Sequence, residues 1–227
     1  MPENFSFRMT DEEYRVLEKI KNSIPVCYLA DHADFALGIV TGNNKKFLSA
    51  EKTENSEMVL KGTDICKYHI NPVKQYLRFE PEQFQQVAPL EIYRAPEKLL
   101  YRFISNQLVV AYDDRQMLSL NSCNIVIPKI DGMQIKYILA ILNSSVSQFV
   151  YQKEFHSIKV LRAHMEHIPI PRVGKAIQNE IIAMTEPLIC GMGKEAAETC
   201  QKRLDCRIMD LFRLSAEEQW IIRHALH

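Results

Sequence analysis

The chain has no surplus of either charge, no long apolar run and no C-x-x-C pair, and each absence excludes a class of protein. Its 28 Lys and Arg residues balance 28 Asp and Glu residues, so any role in binding nucleic acid requires a local basic patch. The longest apolar stretch, 135–150, is interrupted by Lys136 and by polar residues, whereas a membrane span needs about 20 apolar residues. We therefore expect a cytoplasmic protein without a membrane partner.

The cysteines indicate neither a disulfide framework nor a metal knuckle. Six are present, at positions 27, 66, 123, 190, 200 and 206, and no charged and apolar signal-like segment opens the chain. Cys190, Cys200 and Cys206 are separated by nine and five residues, which fits buried helix faces better than zinc-ligand spacing. The pattern favours free, mostly buried thiols in a reducing compartment.

Hydrophobic periodicity predicts an α+β fold: a mixed, strand-rich domain with an amphipathic helix packed on it, followed by a C-terminal helical segment. Strand patterns dominate from about 35 to 130, and apolar residues from 135 to 150 recur at helical spacing. With 47% hydrophobic residues the chain can bury a substantial core. We expect three segments: a helical lead-in at 1–24, the strand-rich domain at 25–173 and the helical segment at 174–227.

Local signals refine this outline. Thr10 to Glu13 (TDEE) and Ser215 to Glu218 (SAEE) are capping boxes that begin helices. The Gly and Asn residues of 41–44 predict a tight turn between two strands, because both residue types tolerate positive φ. Ala95 to Asp113 (APEKLLYRFISNQLVVAYD) predicts a β-hairpin, since two apolar runs flank a Ser-Asn break. On its first strand Lys98, Leu100 and Arg102 share one face, which indicates a supporting element of the core.

A modest local excess of basic residues marks one part of the chain. Eleven Lys and Arg residues lie between Arg94 and Lys175 against six acids, and from Lys153 to Lys175 five basic residues accompany only two acids. Such residues can neutralise phosphates, and Asn, Gln and Arg can pair with base edges. An ordinary solvated surface is the alternative interpretation of the charges, and a simple hairpin turn is the alternative for the Asn-rich 41–46 stretch.

Catalytic and metal sites find little support in the pattern. His156, His164 and His167 suggest zinc, yet no Cys or carboxylate lies at a familiar spacing from them. The 191–194 stretch (GMGK) lacks the upstream Gly and the following Ser or Thr of a phosphate-binding loop. Asp113 and Asp114 would face opposite sides of a strand. We therefore predict no catalytic residues, no metal site and no cofactor in this chain.

Several segments, in their order, resemble a known family. They are TGNNKKF (41–47), VLKGTDICKY (59–68), QYLRF (75–79), APEKLLYRFISNQLVVAYDD (95–114), ILNSSVSQFVY (141–151) and HIPIP (167–171). Their order and spacing are similar to the TaqI-like C-terminal specificity domain, the target-recognition part of adenine-specific DNA methyltransferases and type IIG restriction-modification enzymes. The tail LDCRIMDLFRLSAEE (204–218) resembles the closing helical segment of those enzymes, although Phe212 and Arg213 stand where Tyr-Gly is usual.

The resemblance implies a division of labour between this chain and a methyltransferase or endonuclease domain, either N-terminal or separate. That partner would bind S-adenosylmethionine and flip the adenine, while this chain reads double-stranded DNA. Neither the Gly-rich cofactor motif nor the Asn-Pro-Pro-Tyr loop of the family's catalytic half occurs here. The oligomeric state stays open. The candidate DNA-binding residues are Asn43, Asn44, Lys45, Lys46, Lys98, Arg102, Asn106, Lys153, His156, Lys159 and Arg162.

Two alternatives to a type IIG specificity domain stay open. The helices from 175 to 227 could form a docking module for a separate catalytic subunit. The short LNS and IPIP motifs also occur in type I specificity subunits, so a domain of that kind is the other alternative.

Overall fold

A computed structural model describes residues 9–155 and 157–226, and within them the chain forms nine α-helices and ten β-strands. The helices are α1 (Asp11–Asn22), α2 (Asn44–Phe47), α3 (Leu90–Tyr93), α4 (Ile135–Asn143), α5 (Ser145–Glu154), α6 (Arg162–Glu166), α7 (Lys175–Cys190), α8 (Lys194–Leu211) and α9 (Ala216–Ala225). The strands are β1 (Val26–Cys27), β2 (Ala33–Ala36), β3 (Leu48–Ser49), β4 (Ser56–Leu60), β5 (Tyr76–Arg78), β6 (Lys98–Arg102), β7 (Val110–Asp113), β8 (Leu118–Ser119), β9 (Cys123–Pro128) and β10 (Ile170–Pro171). The predicted α+β fold with C-terminal helices is confirmed.

The central sheet has the strand order β2-β9-β6-β7, with every neighbouring pair antiparallel. Its hairpin β6–β7 confirms the prediction for 95–113. Leu99 and Tyr101 face a core shared with the helices, whereas Leu100 faces a second core shared with the other strands. Because both faces of β6 are buried, its apolar run is nearly continuous instead of alternating. The hairpin is therefore a supporting element, as predicted.

The second sheet, β3-β5-β4-β8, covers the other face of the central sheet. Its last pairing, β4 with β8, is parallel. The predicted tight turn between two strands at 41–44 is wrong in its second half, because the chain enters the short helix α2 instead of a pairing strand. Asn43 caps this helix by accepting a hydrogen bond from the Lys46 amide, and β3 then joins a different sheet from β2.

The single helix predicted from 135 to 150 is also corrected, since it divides at Ser144 into α4 and α5. Ser144 takes an extended backbone, and its hydroxyl accepts from the Ser147 amide as the cap of α5. Both predicted capping boxes are confirmed, at Thr10 and at Ser215. The ion pair between Lys19 and Glu218 joins α1 to α9.

The break at Ser144 allows two amide side chains to bind the outer edge of β7 and of the chain just before it. Gln148 accepts from the Leu108 amide and donates to its carbonyl, both at 2.9 Å. Asn143 does the same at Val110, at 3.1 and 2.8 Å. In a continuous helix, residues five apart point about 140° away from each other, so the break is what directs both toward one strand. We call Asn143 and Gln148 the amide clamp.

Candidate nucleic-acid interface

Hydrogen bonds bring four loops together at one end of the central sheet, where β6 ends and β9 begins. The amide of Gly62 donates to the hydroxyl of Ser122 at 2.9 Å, and the Phe103 amide donates to the Ser122 carbonyl at 3.0 Å. The Val160 amide donates in turn to the Phe103 carbonyl at 2.8 Å. The turns at 61–64 and 121–122 therefore lie beside the hairpin loop 103–109 and the segment 157–160.

A polar groove of about 430 Å³ borders this end of the sheet. Its polar lining consists of Asn44, Lys45, Lys61, Gln75, Asn121 and Ser122. Gly42, at φ 75°, reverses the chain before the groove, and the Thr41 hydroxyl donates to Asn44 Oδ1 at 2.6 Å. Amide and ammonium groups of this kind can contact both base edges and phosphates.

Exposed polar side chains continue from the groove to the hairpin loop. Asn106 is exposed on that loop, and Lys159 is exposed on the neighbouring segment. Three lysines form no salt bridge with any residue in the described part of the chain: Lys45, Lys61 and Lys159. We call the exposed set the polar row: Asn44, Lys45, Lys61, Asn106, Asn121 and Lys159.

Arg102 lies behind the polar row as an anchor. Its guanidinium donates to the carbonyl of Gly62 at 3.0 Å and also to the carbonyl of Ile65. These bonds tie the end of β6 to the turn that presents Lys61. Arg102 is half-buried, and these contacts give it a positioning role, while its predicted contact with DNA stays a prediction.

The prediction that Lys98 contacts DNA is corrected by the structure. Its side chain is 0% exposed, and its ammonium donates to Asp113 Oδ2 and to the Tyr93 carbonyl, both at 2.6 Å. Burial lowers the pKa of Lys98, and the Asp113 carboxylate opposes that change. A side chain enclosed in this way cannot reach DNA.

The remaining candidates lie outside the polar row or have partners within the protein. Lys153 pairs with Glu13 at 2.7 Å, and the exposed Arg162 pairs with Glu166 at 2.7 Å. Lys46 donates to Gln83 at 2.6 Å, and Asn43 is occupied as the cap of α2. His156 lies outside the described residues.

The ring of His164 makes its contacts within the protein. Its Nδ1 accepts from the Leu161 amide at 3.2 Å, and its ring stacks on Phe155 with the ring centres 4.4 Å apart. Burial, together with the nearby His167, lowers the pKa of His164 below its ordinary value of 6.5. Among residues 9–155 and 157–226, no three His, Cys, Asp or Glu side chains form a group suited to holding a metal ion.

The lowered pKa of His164 predicts a loss of stability in mild acid. The unfolded chain takes up this proton as the pH falls through 6.5, whereas the folded chain takes it up only at lower pH. The free energy of unfolding should therefore decrease across that window and remain undiminished by this group above it. Urea titrations at a series of pH values from about 7.5 to about 5 measure the change in the free energy of unfolding. His164→Asn should flatten the curve, and an equal pH dependence in that variant would contradict the assignment.

Sequence reasoning missed Lys61, Gln75, Asn121 and Ser122. Each lies in or beside a loop of ordinary polar composition, and only the strand order brings them next to Asn44 and Lys45. The neighbouring Gly62 gave a signal that could have been followed. A Cβ at Gly62 would lie 2.5 Å from the Ser122 carbonyl oxygen, so this turn requires glycine for the close approach.

Comparisons with known proteins agree with this architecture. The family model described as the TaqI-like C-terminal specificity domain matches residues 57–170, half of the chain. The structure is similar to the type IIL restriction-modification enzyme MmeI, solved in complex with DNA, with a TM-score of 0.57 and 10% identity over 86% of this chain and 35% of MmeI. It is also similar to the type IIG restriction endonuclease BpuSI, with a TM-score of 0.52 and 11% identity over 89% of this chain and 33% of BpuSI.

These likenesses show a shared fold, and the chain spans about a third of the length of either enzyme. No curated protein sequence matches the chain. No helix in the part of the chain that the structure describes is both long and apolar enough to cross a membrane.

Proposed function

We propose that this chain, which belongs to the family of TaqI-like C-terminal specificity domains, recognises a specific sequence of double-stranded DNA for a restriction-modification enzyme. The activity that it directs is adenine-specific DNA methylation of the type IIG kind. The catalytic domain, with or without an endonuclease, is N-terminal to this region or on a separate chain.

The polar row is the observation that supports this proposal most directly. It places three lysines without salt-bridge partners in the described part of the chain beside three exposed asparagines. Lysine ammonium groups neutralise phosphates, and Asn side chains can donate to and accept from an adenine edge at the same time. A surface of this kind holds DNA through its backbone and discriminates through its bases.

The proposal assigns cofactor chemistry to the partner domain. S-adenosylmethionine binds there, and that domain takes the adenine out of the helix for methylation. This chain binds no cofactor and contributes sequence selection. Arg102 and the amide clamp hold the loops of the polar row in position.

Replacing Lys45, Lys61 and Lys159 together with Ala tests the proposal. Each phosphate contact contributes about 0.9 to the slope of log affinity against log salt concentration, so the triple variant should lose about 2.7 from that slope. Fluorescence anisotropy with a random-sequence duplex, titrated from about 50 to 200 mM salt, measures it.

A second triple variant provides the control. Lys129, Lys175 and Lys194 are also exposed, and they lie beyond the far end of β9 and at the starts of α7 and α8. Their replacement with Ala removes the same total charge and should leave the slope nearly unchanged. Equal losses of slope in the two variants would mean that net charge, and not the polar row, causes the effect. A wild-type chain that binds no duplex at about 50 mM salt would refute the proposed function.

A further inference from the structure

A short two-stranded ribbon extends from the end of the central sheet. Its strands are the hairpin-loop residues 103–105 and the segment 158–160. The Val160 amide donates to the Phe103 carbonyl at 2.8 Å, and the Ser105 amide donates to the Ile158 carbonyl at 2.9 Å. Between these two bonds, Ile104 and Lys159 lie directly opposite each other as an antiparallel pair.

The ribbon exposes one large apolar side chain on each of its faces. Opposed residues share a face and successive residues alternate, so Ile104 lies on the face of Lys159, while Ile158 lies on the other face with Ser105. Ile104 is 51% exposed and Ile158 is 69% exposed. Neither belongs to or packs against the two hydrophobic cores.

Charge and position indicate what these side chains contact. Lys159 provides a cation on the face of Ile104, and the exposed Asn106 and Gln107 follow directly along the hairpin loop. Phe103 ties the base of the ribbon to Ser122, beside the polar groove. The ribbon therefore continues the polar row with a cation and apolar groups in alternation.

We propose that this ribbon enters a groove of duplex DNA with the face of Ile104 and Lys159 toward the DNA, so that Ile104 lies against base edges and Lys159 against a phosphate. The inference rests on the proposed function and adds a residue that determines specificity. The major groove is wide enough for a two-stranded ribbon, and apolar side chains there contact the thymine methyl group. An isoleucine forms no ion pair or hydrogen bond with a phosphate, so a contact of Ile104 with a thymine methyl group would be read as a preference for base sequence.

Ile104→Ala tests this role with two readouts, and Ile158→Ala, on the opposite face of the ribbon, is the control within the ribbon. Duplexes are first enriched from a random library on the wild-type chain, and affinity is then measured for the enriched and the random pools. Ile104→Ala should lose roughly 5- to 150-fold in affinity for the enriched pool, as for a lost base contact, with an unchanged salt slope, and Ile158→Ala should keep both the affinity and the slope. Lys159→Ala should show the reverse: a salt slope lower by about 0.9 with the preference retained.

Leu90→Ala is the matched control, because Leu90 is a 46% exposed aliphatic residue on α3, away from the ribbon. It should retain both affinity and preference. If the wild type enriches a sequence and Ile104→Ala keeps the full preference, the ribbon assignment is overturned while the proposed function stands. If the wild type binds random duplex without enriching any sequence, the base-reading role is likewise overturned. Absence of any duplex binding by the wild type would instead refute the proposed function itself.

Discussion

Lys98→Met is expected to lower the free energy of unfolding by about 3–5 kcal/mol, as is usual when one partner of a buried ion pair is removed. The variant leaves the Asp113 carboxylate buried without its cation. That carboxylate keeps only the backbone amides of Arg115 and Met117, each 2.9 Å away. The pair also joins the first residue of β6 to the last of β7, so the far end of the hairpin should loosen. Urea unfolding monitored by circular dichroism measures the loss.

Lys129→Met provides the comparison for this experiment. Lys129 also pairs with an aspartate, Asp34 at 2.6 Å, but both side chains are largely exposed. Exposed pairs contribute about 0–1 kcal/mol, so this variant should be nearly as stable as the wild type. Adding Asp113→Asn to Lys98→Met removes the isolated charge and should recover part of the loss. A Lys98→Met variant as stable as Lys129→Met would contradict the buried pairing.

Gln148→Met should lower the free energy of unfolding by about 2–6 kcal/mol, because it leaves two buried backbone groups of Leu108 without their partners, at about 1–3 kcal/mol for each. Methionine has nearly the length and volume of glutamine, so packing on α5 is largely preserved. Hydrogen exchange at the Leu108 amide should accelerate together with the loss in stability. Chemical denaturation and exchange measured on the same sample distinguish local release of β7 from global unfolding.

Gln152→Met, one helical turn further along α5, is the matched control. Gln152 is partly exposed, lies in a polar pocket, and is outside the amide clamp. The same chemical change there should alter the free energy of unfolding by less than about 0.5 kcal/mol. If Leu108 exchanged at the same rate in Gln148→Met as in the wild type, the clamp would not hold this edge in solution.

Local patterns predicted the elements whose physics is local. The capping boxes at Thr10 and Ser215 and the hairpin of 95–113 depend on residues close together in sequence, and all are confirmed. The predicted helix from 135 to 150 failed at Ser144, because its apolar spacing continues across a residue that ends one helix and caps the next. The spacing of apolar residues indicates which face of a helix is buried. A capping residue can end one helix and start the next without changing that spacing.

The candidate site was less predictable for a physical reason. Basic residue type does not reveal burial: Lys98 and Lys159 look alike in sequence, yet one lies opposite Asp113 within a hairpin and the other faces solvent. The groove depends on the parallel pairing of β4 with β8, a contact between strands almost 60 residues apart in the chain, counted from 59 to 118. Periodicity and turn signals contain no information about such a pairing. The three-segment division of the chain and the roles of the polar row remain predictions.

The amide clamp also affects how the hairpin loop 103–109 can change over evolution. Most hairpins depend on the chemistry of their own turn to align the two strands, so an altered turn risks a register slip. Here the outer edge of β7 and of the residues just before it is also held from outside, by the amide clamp and by the backbone of Tyr68. Changes at 106–107, beyond the residues that pair with 158–160, can therefore be accommodated while the strands stay in place. Under the proposed function, a fixed frame with a variable hairpin tip allows new sequence preferences to arise without a new fold.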